Sequence, residues 1–183
     1  MEVYFNKEQL FNDLNEAGML TWNADLLELK VKLVYPQAKL PTMSHEFEDA
    51  AWDLYTPIDF ILPRMKDGVD GSAIVDIGII IEFPILAGSR GLPKLIRFHG
   101  EVGSRSGLGF KKSITAFPGV IDNGYRNNMA VKLFNRSSED VEFKSGDRVA
   151  QLLIRPFDVY LVRQVDELSS TKRGITGFGD SGR

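Results

Sequence analysis

The spacing of hydrophobic positions along this chain is helical once, near the amino terminus, and strand-like almost everywhere after that. Asn6-Lys7-Glu8-Gln9 has the form of a capping box, and Leu10, Phe11, Leu14 and Ala17 follow at helical spacing before Gly18. This predicts one short amphipathic helix. Leu26 to Tyr35 places apolar residues among charged ones as a strand does, and Pro36 and Pro41 end it. Beyond the turn signals Asp67-Gly68 and Asp70-Gly71, Ala73 to Ile85 is so rich in Ile and Val that it predicts one buried strand with a bulge at Gly78. Further strands are expected at Leu95–Phe98, Met129–Phe134, Val141–Phe143, Val149–Ile154 and Val159–Val165. Many short strands with turn residues between them predict an all-β sandwich, jelly roll or barrel. Ser169 to Arg183 holds four Gly and three Ser with almost no core-forming side chains, as an arm would.

Composition narrows the function classes. Of 183 residues, 43% are hydrophobic and 26% charged, enough for one domain with its own core. The absence of cysteine removes disulfides, thiolate metal sites and cysteine nucleophiles. No window of about 18 apolar residues is present to span a membrane, and the first ten residues lack the order of a signal peptide, so a cytoplasmic protein is expected. Against 25 acidic residues stand 22 basic ones. That balance gives no footprint for nucleic acid, and any anionic ligand must be held locally.

Common nucleotide motifs fail. Gly177-Phe178-Gly179-Asp180-Ser181-Gly182 has dinucleotide-loop spacing, but only Arg183 follows it and no helix can open there. His45 and His99 are isolated, and Glu46, Glu48, Asp49 and Asp53 read by default as a solvated acidic loop. Four segments carry more chemistry. Gly103-Ser104-Arg105-Ser106-Gly107 offers a guanidinium, two hydroxyls and approachable backbone amides, which suit phosphate oxygens. Gly119 to Arg126 contains Asn123-Gly124, which predicts a hairpin turn holding Asp122 and Tyr125 close together. In Gly146-Asp147-Arg148-Val149-Ala150-Gln151, Gln151 is a polar residue in an apolar run, either a satisfied core amide or a ligand contact. Arg173-Gly174-Ile175-Thr176-Gly177-Phe178-Gly179 puts a basic and an aromatic residue into the glycine-rich tail, where stacking on a ligand would explain the ring.

With Ala50-Ala51-Trp52-Asp53-Leu54-Tyr55 ahead of them, these segments resemble the five ordered motifs of the trimeric deoxyuridine triphosphatase (dUTPase) family, over Ala50 to Arg183. The resemblance implies a jelly-roll-like β-barrel, a homotrimer with sites shared between chains, and Mg2+-dependent hydrolysis of dUTP to dUMP and pyrophosphate. Such a reaction keeps uracil out of DNA and supplies dUMP for thymidylate synthesis. Asp122 then matches the base that deprotonates the attacking water, and Tyr125 the ring under the deoxyribose. Backbone between Gly119, Ile121 and Met129 matches the uracil pocket. Arg105, Ser106 and Gly107 match the phosphate-binding motif, and Gln151 a contact near the α-phosphate. Arg173, Gly179 and Ser181 match γ-phosphate contacts or their neighbours, and Phe178 the ring closing over uracil. Asp53 matches an acid that positions the metal through water or orients neighbouring basic groups.

Departures from that pattern are also visible. Ala116 stands where many relatives have Asn, and Gly124 where many have an acid. The 52 positions from Asp53 to Arg105 suggest an insertion over about 56–92, and residues 1–25 an N-terminal extension. The expected division is a β-barrel domain over 1–168 and a flexible arm over 169–183. Two rivals remain: a nucleotide-gated regulator binding a protein through 56–92, and dCTP deaminase, whose water-activating Glu is matched here by Lys132.

Overall fold

The computed structural model describes residues 28–45, 48–87 and 95–171. The helix expected over Asn6–Ala17, and Arg173, Phe178, Gly179 and Ser181 of the arm, lie outside them. Among the described residues there are twelve strands and one helix, and every strand pairing is antiparallel.

The largest sheet runs in the order β2 (Trp52–Tyr55), β12 (Arg148–Asp158), β7 (Leu95–Gly103) and β6 (Ile85–Ala87), with β9 (Val120–Ile121) also paired to β7. A three-stranded sheet orders β4 (Gly71–Asp76), β10 (Ala130–Asn135) and β8 (Ile114–Ala116). Two ribbons complete the fold: β1 (Lys30–Leu33) with β5 (Ile79–Glu82), and β3 (Phe60–Leu62) with β11 (Val141–Phe143). Alternate residues of these strands face one core that includes Leu54, Leu62, Val75, Ile79, Ile81, Val131, Leu133, Val149 and Leu152.

Several expectations change. The single strand expected over Ala73–Ile85 is divided among β4, β5 and the first residue of β6, and between β4 and β5 Gly78 takes φ 78° and redirects the chain. Before it β4 pairs with β10, and after it β5 pairs with β1. Met129 spans the corner, receiving the Ile77 N–H and donating to the Ile79 carbonyl. Residues 56–87 of the expected insertion belong to the framework: they supply β3 to β6 and the buried Leu62, Val75, Ile77, Ile79, Ile81 and Phe83. The strand expected at Val149–Ile154 runs on to Asp158 as β12, and no strand forms over Val159–Val165. Beyond Leu152 it has β7 on one side and no longer β2 on the other, so Pro156 is tolerated.

An unexpected helix, α1 (Ser106–Lys112), grows from the segment read as a phosphate turn. Its sequence SGLGFKK has two glycines and poor helical propensity. It forms because Leu108 is buried, Lys111 and Lys112 sit in the last turn, and Ser113 ends it in the left-handed conformation with its N–H bonded to the Gly109 and Leu108 carbonyls.

Candidate active site

Three expected site residues meet where β2, β12 and β7 lie side by side. Gln151 on β12 is level with Asp53 on β2 and with Gly103 on β7. Asp53 is no solvated acid. It is 4% exposed, and its two oxygens receive two guanidinium groups: Oδ1 takes Arg105 Nε at 2.9 Å, and Oδ2 takes Arg148 Nη1 at 3.1 Å. Arg105 Nη1 also points to the Arg148 carbonyl at 3.5 Å, and Arg148 Nη1 donates to Ser44 Oγ at 3.1 Å. A carboxylate with both oxygens engaged this way fixes the orientation of the cations around it. Behind Ser44, the N–H of His45, joined by that of Ser44, holds the Asp49 carboxyl below the usual carboxylate range.

Arg105 caps the start of α1, so Ser106 and Gly107 form the first helical turn, both exposed. The loop before it is tied down by Ser104, whose Oγ accepts from the Ala116 N–H at 2.9 Å. Ala116 itself is 7% exposed and belongs to the core.

The second group surrounds Asp122. Residues 122–125 form a turn closed by the Tyr125 N–H on the Asp122 carbonyl, 3.0 Å. It is not the expected hairpin turn. Neither Asn123 nor Gly124 has a positive φ, and the flanking strands separate, β9 to β7 and β10 to β4 and β8. Asn123 is 8% exposed, and its Nδ2 donates to the Phe98 carbonyl at 2.9 Å, anchoring the turn to β7. Arg126 Nη1 reaches the Asn123 and Tyr125 carbonyls, 2.6 and 2.9 Å, and the Tyr125 hydroxyl donates to the Asn128 carbonyl at 2.9 Å. Asp122 is exposed at the end of this scaffold. Gly119 lies just before β9 and Ile121 ends it, next to Asp122, while Met129 is 1% exposed with its N–H committed to Ile79. Met129 is therefore a core residue rather than a free edge for a base.

The two groups do not meet within one chain. Ile121 is level with Gly100 on β7, and Gln151 with Gly103. From Asp122, one residue past Ile121, to Gly103 is about 13 Å of strand, and Arg105 lies further on.

Against known proteins, the dUTPase family model matches residues 37–182. This chain belongs to the dUTPase family. It is 36% identical to the deoxyuridine 5′-triphosphate nucleotidohydrolase of Candida albicans over 157 residues, 85% of this chain and 88% of that one. It is also 36% identical to the Clostridium acetobutylicum protein of that name over 86% of this chain and 98% of the other. Among solved structures, Staphylococcus bacteriophage 80alpha dUTPase with dUpNHpp superposes with a TM-score of 0.64 and 26% identity, over 85% of this chain and 99% of that one. The fold is thus the jelly-roll β fold of dUTPases.

Within this dUTPase-family chain, two participants escaped the sequence reading. Arg148 is one, and its signal in the sequence is a basic residue beside a turn, three positions before Gln151. Asn123 was read only as a turn residue, because nothing in a sequence shows that its amide is buried.

Proposed function

We propose that this chain hydrolyses dUTP to dUMP and pyrophosphate, with Asp122 as the base. The observation that carries the reading is the Asp53 clamp on Arg105 and Arg148, level with Gln151, in a chain of the dUTPase family. Two guanidiniums held by a buried carboxylate present fixed positive charge to a triphosphate. Arg105, Ser106 and Gly107 then take phosphate oxygens and Gln151 contacts the α-phosphate region. A side chain at Gly107 or Gly119 would meet nothing within 4 Å among the described residues, so neither glycine is demanded by their packing. Close approach by the substrate accounts for both.

Asp122 accepts a proton from water as the water oxygen bonds to the α-phosphorus and the bond to the bridging oxygen breaks, releasing pyrophosphate. The Tyr125 ring lies under the deoxyribose, and backbone at Gly119 and Ile121 reads uracil. Magnesium enters as part of the substrate. Among the described residues no cluster of His, Asp or Glu could hold a metal ion, and the Asp53 oxygens are already engaged. Asp53 therefore acts by orienting arginines, and magnesium would be carried by the substrate's phosphates, whose charge it would help to neutralise. Arg173, Phe178, Gly179 and Ser181 close the site from the arm.

A homotrimer with shared sites explains two further features. Asp122 and Arg105 are too far apart within one chain to act on one triphosphate. Past β12, Tyr160, Leu161, Val162 and Leu168 are 77%, 98%, 100% and 88% exposed, an apolar run that a second subunit would cover.

Pyrophosphate release from dUTP, dCTP, dTTP and UTP, with and without magnesium, tests the reading. Rapid release from dUTP alone is expected, and equal rates on dCTP or UTP would overturn the assigned specificity.

A further inference from the structure

The turn that carries Asp122 and Tyr125 lacks the cross-strand ladder that fixes the Asp53 clamp. Two side-chain struts reach it instead, both from the β1–β5 ribbon. In the first, Tyr35 sits two residues past the end of β1, and its ring packs where a side chain at Gly78 would be, 2.8 Å from that position. Its hydroxyl lies 3.5 Å from Asn128 Nδ2. Asn128 in turn supplies the carbonyl that holds the Tyr125 hydroxyl. Asn128 Oδ1 is buried without a hydrogen-bond partner among the described residues. Reversing that amide would let Oδ1 accept from the Tyr35 hydroxyl, so the link exists in either orientation. In the second strut, Arg126, which bonds two carbonyls of the turn, has its Nε 4.0 Å from Glu82 on β5. Lys30 on β1, 2.8 Å from the other Glu82 oxygen, is level with Glu82 in the register. Lys30 and Tyr35 both precede residue 37, where the match to the family begins.

We propose that Tyr35 and Glu82 are positioning residues: through Asn128 and Arg126 they set the Tyr125 ring, and with it the preference for deoxyribose over ribose. This rests on the assignment of Tyr125 to the sugar. Neither residue touches substrate, and each contact is long or solvent-exposed, so the effect falls on placement more than on global stability.

The test uses the full chain with Tyr35→Phe, Glu82→Gln and the double variant. Tyr35→Phe keeps the ring against Gly78 and removes only the hydroxyl. Each single change is expected to raise KM for dUTP about threefold and to lower the dUTP-over-UTP ratio of kcat/KM by a similar factor, with kcat on dUTP within about twofold. The double variant should lose about tenfold in the ratio. A readout independent of activity is hydrogen exchange at the Tyr125 amide, which closes the turn. It should quicken in each variant while amides of β12 and β7 keep their protection. Unchanged KM, ratio and Tyr125 exchange in the double variant would overturn the proposal. Quickened exchange in variants of a chain that does not turn over dUTP would leave the strut standing and sink the assignment of the substrate. Equal loss of protection across β7 and β12 would reveal a merely structural role and also overturn it.

Discussion

The Asp53 clamp and the Asp122 turn are held in opposite ways. Around Asp53, three adjacent strands provide the ladder, the carboxylate is buried, and two cations converge on it. Around Asp122, the ladder has ended, and side-chain amides, a phenol and a guanidinium bond backbone carbonyls to shape an exposed turn. Burial makes the first region part of the fold's stability. The second region can be altered with little effect on folding, so chemistry and stability separate there.

Asp122→Asn should sharpen the contrast most. Losing the base is expected to lower kcat on dUTP by about a hundredfold or more while KM changes little, and urea unfolding at fixed protein concentration should agree with the parent within about 0.5 kcal/mol. Undiminished turnover, or binding lost in proportion, would remove Asp122 from its role. Asp53→Ala should do the converse. It leaves Arg105, whose side chain is 23% exposed, without its carboxylate, and unfolding should show a loss of about 2 kcal/mol, below the range for a fully buried pair because both arginines retain some water. Its KM for dUTP should rise together with that loss.

Asn123→Ala tests the buried side-chain anchor between the turn and β7. With the Phe98 carbonyl deprived of its buried donor, a cost of about 1 kcal/mol is expected in the same unfolding experiment, less than at Asp53 although both residues are buried. The smallest effect concerns pH. Glu101 on β7 lies between the two regions, and the hydrogen bond from His99, then that from Arg155, holds its carboxyl below the ordinary 4.5. A carboxylate depressed in the folded state adds stability above its unfolded value, and that contribution disappears as pH falls through the folded one. Glu101→Gln should therefore lower Tm slightly at pH 7 and flatten its decline below pH 4.5 by the same small amount, the two proteins converging in acid; a steeper acid decline would contradict the sign.

What the sequence disclosed follows the same division. Val141–Phe143 is the strand it predicted, and the level placement of Asp53, Gln151 and Gly103 rewards motifs read on alternating strands. Where a short segment changes its pairing partner, local pattern is silent. Ile77-Gly78 reads the same whether the chain bulges or leaves one sheet for another, and only the partners β10 and β1 decide. Similarly, Asn123-Gly124 has the composition of a hairpin, but its flanking strands find other neighbours. Helix α1 was hidden because its glycines argue against it, and the burial of Leu108 that stabilises it is a tertiary fact. Arg173 and Phe178 are marked by a basic and an aromatic side chain in a glycine-rich tail, whereas Gly179 and Ser181 come from the family resemblance.

The distance along β7 between Asp122 and Gly103 has a genetic consequence. In the trimer proposed above, which would assemble each site from different subunits, a chain spoiled at Asp122 and a chain spoiled at Arg105 would carry complementary defects. Each variant alone is inert, yet a mixture unfolded and reassembled together regains about one quarter of the sites, those that draw Asp122 from one parent and Arg105 from the other. Two null alleles of this gene, expressed in one cell, would then support growth that neither supports alone.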